Sequence, residues 1–355
     1  MEQSNKLVLF AIVFVGWAAF IPPVVADTAN IEATRVTPHM EAPIKPGQNV
    51  VFCSTFQIAW NHLKNDIIKD DIRLEKPLEL IRILNLERTV RTGISEGDYL
   101  AVAGYGSKNI ADEINQALKR KFGDEAPTVD NVYNQDDVIL AYAFLLKVLQ
   151  FENAFEDFKD PMTFHGGDNE ALVESFGIYK YSEDRHRWLG DKVEVLDYEQ
   201  HGDFIVRLES KHPDDEIILA RVKPGKTLLQ TYEQVDTRIA RSKPEGLSKG
   251  DLLMIPKIDF SLDHQYSSLV GLHVLNKGFE DYFVQEARQD IRFTLDESGA
   301  SVKSAATLAI KKGPPVDFKM LVFHDPFMIY LKKRDAKYPY LAMWIGNPDL
   351  MVESN

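Results

Sequence analysis

A chain of 355 residues with 45% hydrophobic content can bury one large core or two smaller ones. Its formal net charge of −13 argues against a nucleic-acid binder, because neutralising phosphates needs a basic surface. A single cysteine, Cys53, rules out an internal disulfide, so the fold must rest on its core.

The first 26 residues read as a secretory signal peptide. Lys6 precedes the apolar run LVLFAIVFVGWAAFI, and Val24, Val25 and Ala26 offer a small-residue cleavage site. The expectation is a secreted or extracytoplasmic protein beginning at Asp27, with no membrane attachment after cleavage. Residues 27–48 carry three prolines and little periodicity, so they read as an N-terminal arm, with one domain over 49–355. NVVFCSTFQIAW holds Cys53 between aromatic residues, which suits a small buried hydrophobe better than a nucleophile.

FQIAWNHLKNDI places Phe56, Ala59, Trp60, Leu63 and Ile67 at helical spacing behind Ser54 or Thr55 as a cap. KPLELIRILNLERTV and SKNIADEINQALKRKF read as two more helices, the second capped by Ser107 and ended at Gly123. DDVILAYAFLLKVLQFENAF fits a strand or a buried helix by pattern alone. From KVEVLDYE onward the chain turns to β-branched and aromatic runs, among them DFIVRLES, EIILARVK, DLLMIPKIDFSL, QDIRFTLD, DFKMLVFH, PFMIYLKK and YLAMWIGN. HQYSSLVGLHVLNKGFEDYF interrupts them as a helical segment. No repeat and no linker divides the chain, so a single mixed α+β domain is expected, with large mainly antiparallel sheets and a helical layer.

One stretch fits neither class. DESGASVKSAATLAIKKGPP, residues 296–315, alternates Ala300, Val302, Ser304 and Ala306 with Ser301, Lys303, Ala305 and Thr307. That is the period of a half-buried strand written in residues of poor β-propensity. Its alanines would equally suit a helix. The segment tolerates several conformations and commits to none.

FTLDESGASVKSAAT resembles the reactive-loop hinge of serpins, in which an acidic residue and a Gly precede a run of small residues. FHDPFMIYL resembles the Pro-Phe pair that opens the serpin terminal hairpin, and YLAMWIGNPD the final strand with its Asn-Pro ending. LLMIPKIDFSLDHQYSSLVGL, NVVFCSTFQIA and QFENAFEDFKDPMTFH are similar to further serpin segments. Departures are visible: Thr55 stands where the family usually has Pro, Phe151 where it has Trp, and Val302 and Lys303 where inhibitory members prefer alanine. Residues 66–126 match nothing in the family.

The resemblance implies a single serpin-like domain with an exposed reactive loop at about 299–316, and a function as an inhibitor of a serine protease rather than an enzyme. The protease attacks the loop as bait and forms an acyl-enzyme. The cleaved loop then inserts as a new strand of the main sheet and traps it. Glu297, Gly299, Ala300, Val302, Ser304 and Ala306 would form the hinge. The scissile bond would follow Lys311, Lys312 or Gly313, and the lysines point to a trypsin-like target with an acidic specificity pocket. The expected protein is a monomer that needs no cofactor or metal. A non-inhibitory binding or structural protein of the same fold is the alternative. A hydrolase built on His165 and Asp168, or on His212, Asp214 and Asp215, lacks any nucleophile motif, so these residues read as solvated turns.

Overall fold

The β-branched runs of the second half assemble as three sheets in a computed structural model that describes residues 33–86, 94–135, 138–167, 169–190, 192–211, 214–298, 305–306 and 318–354. The expected signal peptide lies outside the described residues. Among those described, no helix is long and apolar enough to cross a membrane.

Eight strands form one sheet, in the order β1 (Thr34–Thr37), β2 (Asn49–Cys53), β17 (Leu341–Ile345), β16 (Phe327–Lys333), β9 (Asp215–Arg221), β8 (Asp203–Glu209), β7 (Val193–Gln200) and β10 (Glu245–Gly246). The segment read as an arm thus enters the fold, because β1 pairs parallel with β2. At the Asn-Pro ending of the last strand, the Asn347 side chain accepts the Asp349 amide at 3.0 Å and donates to the Gly47 carbonyl at 2.9 Å. Asn49 accepts from the amides of Gly346 and Asn347 at 2.8 and 3.0 Å. A side chain at Gly346 is excluded, since its Cβ would stand 2.4 Å from the Gln48 carbonyl oxygen.

A five-stranded sheet runs β14 (Ala305–Ala306), β5 (Glu156–Gly166), β6 (Asn169–Ile178), β11 (Leu252–Pro256) and β15 (Met320–Val322). The third sheet has four strands: β12 (Ile258–Gln265), β13 (Arg288–Leu295), β4 (Ile139–Val148) and β3 (Tyr99–Tyr105). DDVILAYAFLLKV is therefore a strand. DLLMIPKIDFSL is not one strand but two, parted at Lys257 into different sheets. One apolar core fills the space between the sheets, with Phe164, Phe176, Phe204, Phe293 and Phe327 in it.

Helices cover the remaining faces. α1 (Thr55–His62) continues into a π-helical turn over Leu63–Ile68, and with α2 (Glu79–Asn85) it packs Phe56, Trp60, Ile81 and Leu84 against the chain at 266–287. α3 (Ile110–Phe122) lays Ile110, Ile114 and Leu118 on Leu140, Tyr142 and Phe144 of β4, and ends at Gly123 as expected. Ser107 is not its cap. The helix starts two residues later from Asn109 in the left-handed region, and the Asn134 carboxamide accepts the Ala111 amide at 2.8 Å. α4 (Glu183–Gly190) precedes β7. α5 (Leu228–Arg241) covers the outer face of the eight-stranded sheet with Leu228, Tyr232 and Val235, capped by Thr227.

HQYSSLVGLHVLNKGFEDYF corrects the helical expectation. It forms turns and isolated bridges, because Gly271 and Gly278 adopt φ of +80° and +86°. Tyr266, Leu269 and Leu272 keep their burial without a helix.

Candidate functional site: the loop exit and the sheet seam

The candidate reactive loop leaves the end of β13 and returns to the chain before β15. Its exit is stitched down. The Glu297 carbonyl accepts from Phe155 at 3.1 Å and the Ser298 carbonyl from Phe151 at 3.0 Å. Asp296 turns the chain by accepting the Ser298 amide at 2.7 Å.

Glu297 also pairs through its side chain with Lys257, at 2.9 Å. Lys257 sits between β11 and β12, and its ammonium reaches Asp157 on β5 at 2.9 Å and Glu174 on β6 at 3.2 Å. Burial would lower the pKa of this lysine, but Asp157 and Glu297 outweigh it and raise the value above the ordinary lysine range. One side chain therefore holds the loop stem against the junction of the five- and four-stranded sheets. The chain changes sheets at Lys257, from β11 to β12, and this puts its side chain at the junction.

Beneath the exit lies a seam. β13 and β4 run parallel, with Arg288 opposite Tyr142 through Thr294 opposite Val148. A chain folding back from Glu297 would run antiparallel to both strands, so a strand placed between them would replace one parallel pairing by two antiparallel ones. The core face of the seam is tied to α1. Gln289 donates to Thr55 Oγ1 at 2.7 Å and to the Cys53 carbonyl at 3.2 Å, and accepts from Tyr266 at 2.6 Å. Burial pushes the Cys53 thiol up to about 11, with its Thr55 hydrogen bond acting the other way. Cys53 is a core residue, as its surroundings in the sequence suggested.

On the opposite face Tyr142 donates to Asp290 at 2.9 Å across the seam, and Arg288 reaches Asp290 and Asp263 at 3.3 and 2.7 Å. Burial raises the Asp290 pKa against the pull of Arg288. Further along β4, Lys147 is buried between Asp98 at 2.5 Å and Asp215 at 2.8 Å, and Lys333 completes the cluster on Asp215 at 2.8 Å. That cluster clamps β4 to the eight-stranded sheet.

Of the expected hinge residues, Glu297 is placed at the latch. Ala306 belongs to β14, whose backbone pairs parallel with Asp157 and Phe158 on the free edge of β5. Gly299, Ala300, Val302 and Ser304, and the scissile candidates Lys311, Lys312 and Gly313, lie outside the described residues. At the far end Lys319 donates its amide to Asp251 at 2.7 Å as the chain enters β15. Sequence reasoning passed over the Tyr142–Asp290 link, the Lys147 cluster and the Gln289–Thr55 tie, because all three join residues distant in sequence.

His165 pairs with Glu170 at 2.9 Å on the exposed β5–β6 hairpin, Asp215 is consumed by the two lysines, and Asp168 and His212 lie outside the described residues. Asp214 uses its carbonyl to accept from Arg334 at 3.1 Å.

No protein-family model matches the chain, and no curated protein matches it in sequence. Solved structures do. A highly specific serpin of the insect Tenebrio molitor aligns over 84% of this chain and 92% of its own, with a TM-score of 0.50 and 11% identity. The mouse protein Z-dependent protease inhibitor aligns over 84% and 91%, at 0.54 and 12%. Thyroxine-binding globulin in complex with thyroxine aligns over 86% and 94%, at 0.51 and 10%. At such identities the likeness carries the architecture rather than the activity, and that architecture is shared along nearly the whole chain: it has the serpin fold.

Proposed function

We propose that this chain is a secreted inhibitor of a serine protease, which it traps by inserting its cleaved loop into the seam between β4 and β13. The observation that carries the reading is the geometry of exit and seam. The loop stem leaves β13 beside a parallel pair whose separation would admit an antiparallel strand from that same stem. Inserted, the loop would bury Ala300, Val302, Ser304 and Ala306 on one face, all small enough to pass between strands. Lys311 or Lys312 at the scissile bond would direct the bait to a trypsin-like enzyme.

Release of the acyl-enzyme requires water and an intact catalytic triad in the protease, so displacement that distorts that triad before hydrolysis would leave the ester in place. The driving force is the added hydrogen-bond ladder and the burial of the small-residue face. The opposing cost is separating β4 from β13 and breaking the Tyr142–Asp290 link.

Incubation with trypsin tests this. The expected product is a complex of one inhibitor and one protease that survives denaturant. Simple cleavage of the loop, with no such complex, overturns the reading.

A second reading is a non-inhibitory binding protein of the same fold. The cross-seam Tyr142–Asp290 hydrogen bond favours it, since this link must break before any strand can enter. A cleaved loop with unchanged thermal stability would decide for this second reading.

A further inference from the structure

Away from the loop and the seam, a cleft of about 620 Å³ opens where β8 begins, β9 and β17 end and β16 starts. That volume suits a small organic ligand. Val222, Pro224, Pro326 and Trp344 give it an apolar lining. Pro46, Pro224 and Pro326 stiffen three of its loops and so leave less to rearrange on binding.

Its charges are unevenly committed. Both carboxylates are neutralised: Asp325 pairs with Arg221, and Asp203 takes a hydrogen bond from Arg238 at 2.5 Å. Arg221 is fixed in turn, donating to the Val322 carbonyl at 2.7 Å. Lys45 and Lys223, by contrast, stand exposed at the cleft and make no ion pair among the described residues. Two uncompensated cations face an apolar lining on a chain whose net charge is −13. A positively charged rim beside an apolar lining complements a small anion.

We propose that this cleft binds a small organic anion with a flat apolar body, of the aryl carboxylate or aryl sulfonate class. The apolar body lies along Trp344 and the prolines, and the anionic group meets Lys45 and Lys223. This site does not depend on the loop or on protease inhibition.

The test uses the protein lacking residues 1–26, with 8-anilinonaphthalene-1-sulfonate as the charged probe and N-phenyl-1-naphthylamine as its uncharged counterpart. The sulfonate is expected to saturate a single site. Reversing both charges, Lys45→Glu with Lys223→Glu, should weaken it about tenfold and change the uncharged probe by less than about twofold. These lysines are exposed, so the double variant should fold. Gly202→Phe should block both probes by filling the cleft. A Cβ there would meet only the Arg221 guanidinium, at 3.8 Å, so the backbone at this position leaves room for a side chain. Equal sulfonate affinity in the charge-reversed protein, or undiminished binding in Gly202→Phe, overturns the proposal.

Discussion

On the Lys257 ammonium three segments converge: β5 through Asp157, β6 through Glu174 and the loop stem through Glu297. Removing it by Lys257→Ala leaves Asp157, Glu174 and Glu297 facing one another with no cation between them. All three carboxylates are partly exposed, which screens the repulsion, so the expected loss is about 1–2 kcal/mol. Urea unfolding measures it, and limited proteolysis should show faster cutting at the loop in the variant. Unchanged stability and unchanged cutting would mean that the lysine does not hold the loop stem. Cys53 supports a pH prediction. Its folded pKa of about 11 lies above the ordinary 9.0, so the unfolded thiol ionises first. Stability should therefore fall as pH rises from 9 towards 11, by up to about 1.4 kcal/mol per pH unit from this group. Cys53→Ala should lose that share of the slope, while tyrosines and lysines titrate alike in both proteins. Identical slopes would refute the burial argument. At this scale the sequence was informative where a residue's neighbours in the chain are also its neighbours in space. Cys53 among aromatics read correctly as core. Asn109 could not be read as the start of α3, because the group that satisfies that helix end comes from Asn134.

Elements were legible in proportion to how far local pattern decided them. β7, β8, β9, β13, β16 and β17 fall where their β-branched runs stand. The segment at 264–283 misled because Tyr266, Leu269 and Leu272, spaced as on a helix, equally suit a chain folded by two left-handed glycines. α5 carries a readable signal, Thr227 as cap followed by Leu228, Thr231, Tyr232 and Val235, but it lies among strands and was passed over. The ambiguity of DDVILAYAFLLKV arose because β4 buries residues on both faces, which removes the alternation that marks a half-buried strand. β4 also makes the clearest element-scale prediction. Lys147→Ala leaves Asp215, whose side chain is 1% exposed, with Lys333 alone. A loss of about 2–3 kcal/mol is expected, below the full cost of an orphaned buried charge because one partner remains. Denaturant unfolding checks it, and a loss under about 0.5 kcal/mol would show that the clamp does not act. Tyr142→Phe removes the hydrogen bond across the seam. Under the insertion mechanism it should speed formation of the protease complex while lowering native stability by about 1 kcal/mol. A slower rate in stopped-flow measurements would contradict a seam that must open.

For the whole molecule, the fold could be anticipated because motifs spread from NVVFCSTFQIA to WIGNPD keep their order, and order along the chain fixes topology. Function was less legible, since a protease inhibitor and a thyroxine-binding globulin share this architecture. Under the proposed mechanism the deciding property of this chain is how readily β4 and β13 part, and that rests on contacts distant in sequence. Two substitutions separate trap from bait. Ala300→Arg would place a charge between strands on insertion, so the protein should still be cleaved but should no longer hold the protease. Replacing Lys311 and Lys312 together should abolish reaction with trypsin while leaving the trap intact for proteases of other specificity. The most direct test of the central claim is the thermal unfolding of the protein before and after cleavage in its loop by a protease that it does not trap, together with denaturing electrophoresis of an equimolar mixture with trypsin. The account predicts a large rise in unfolding temperature on cleavage and a protein–protease band that survives denaturant. Cleavage at the loop with no rise and no such band would contradict it.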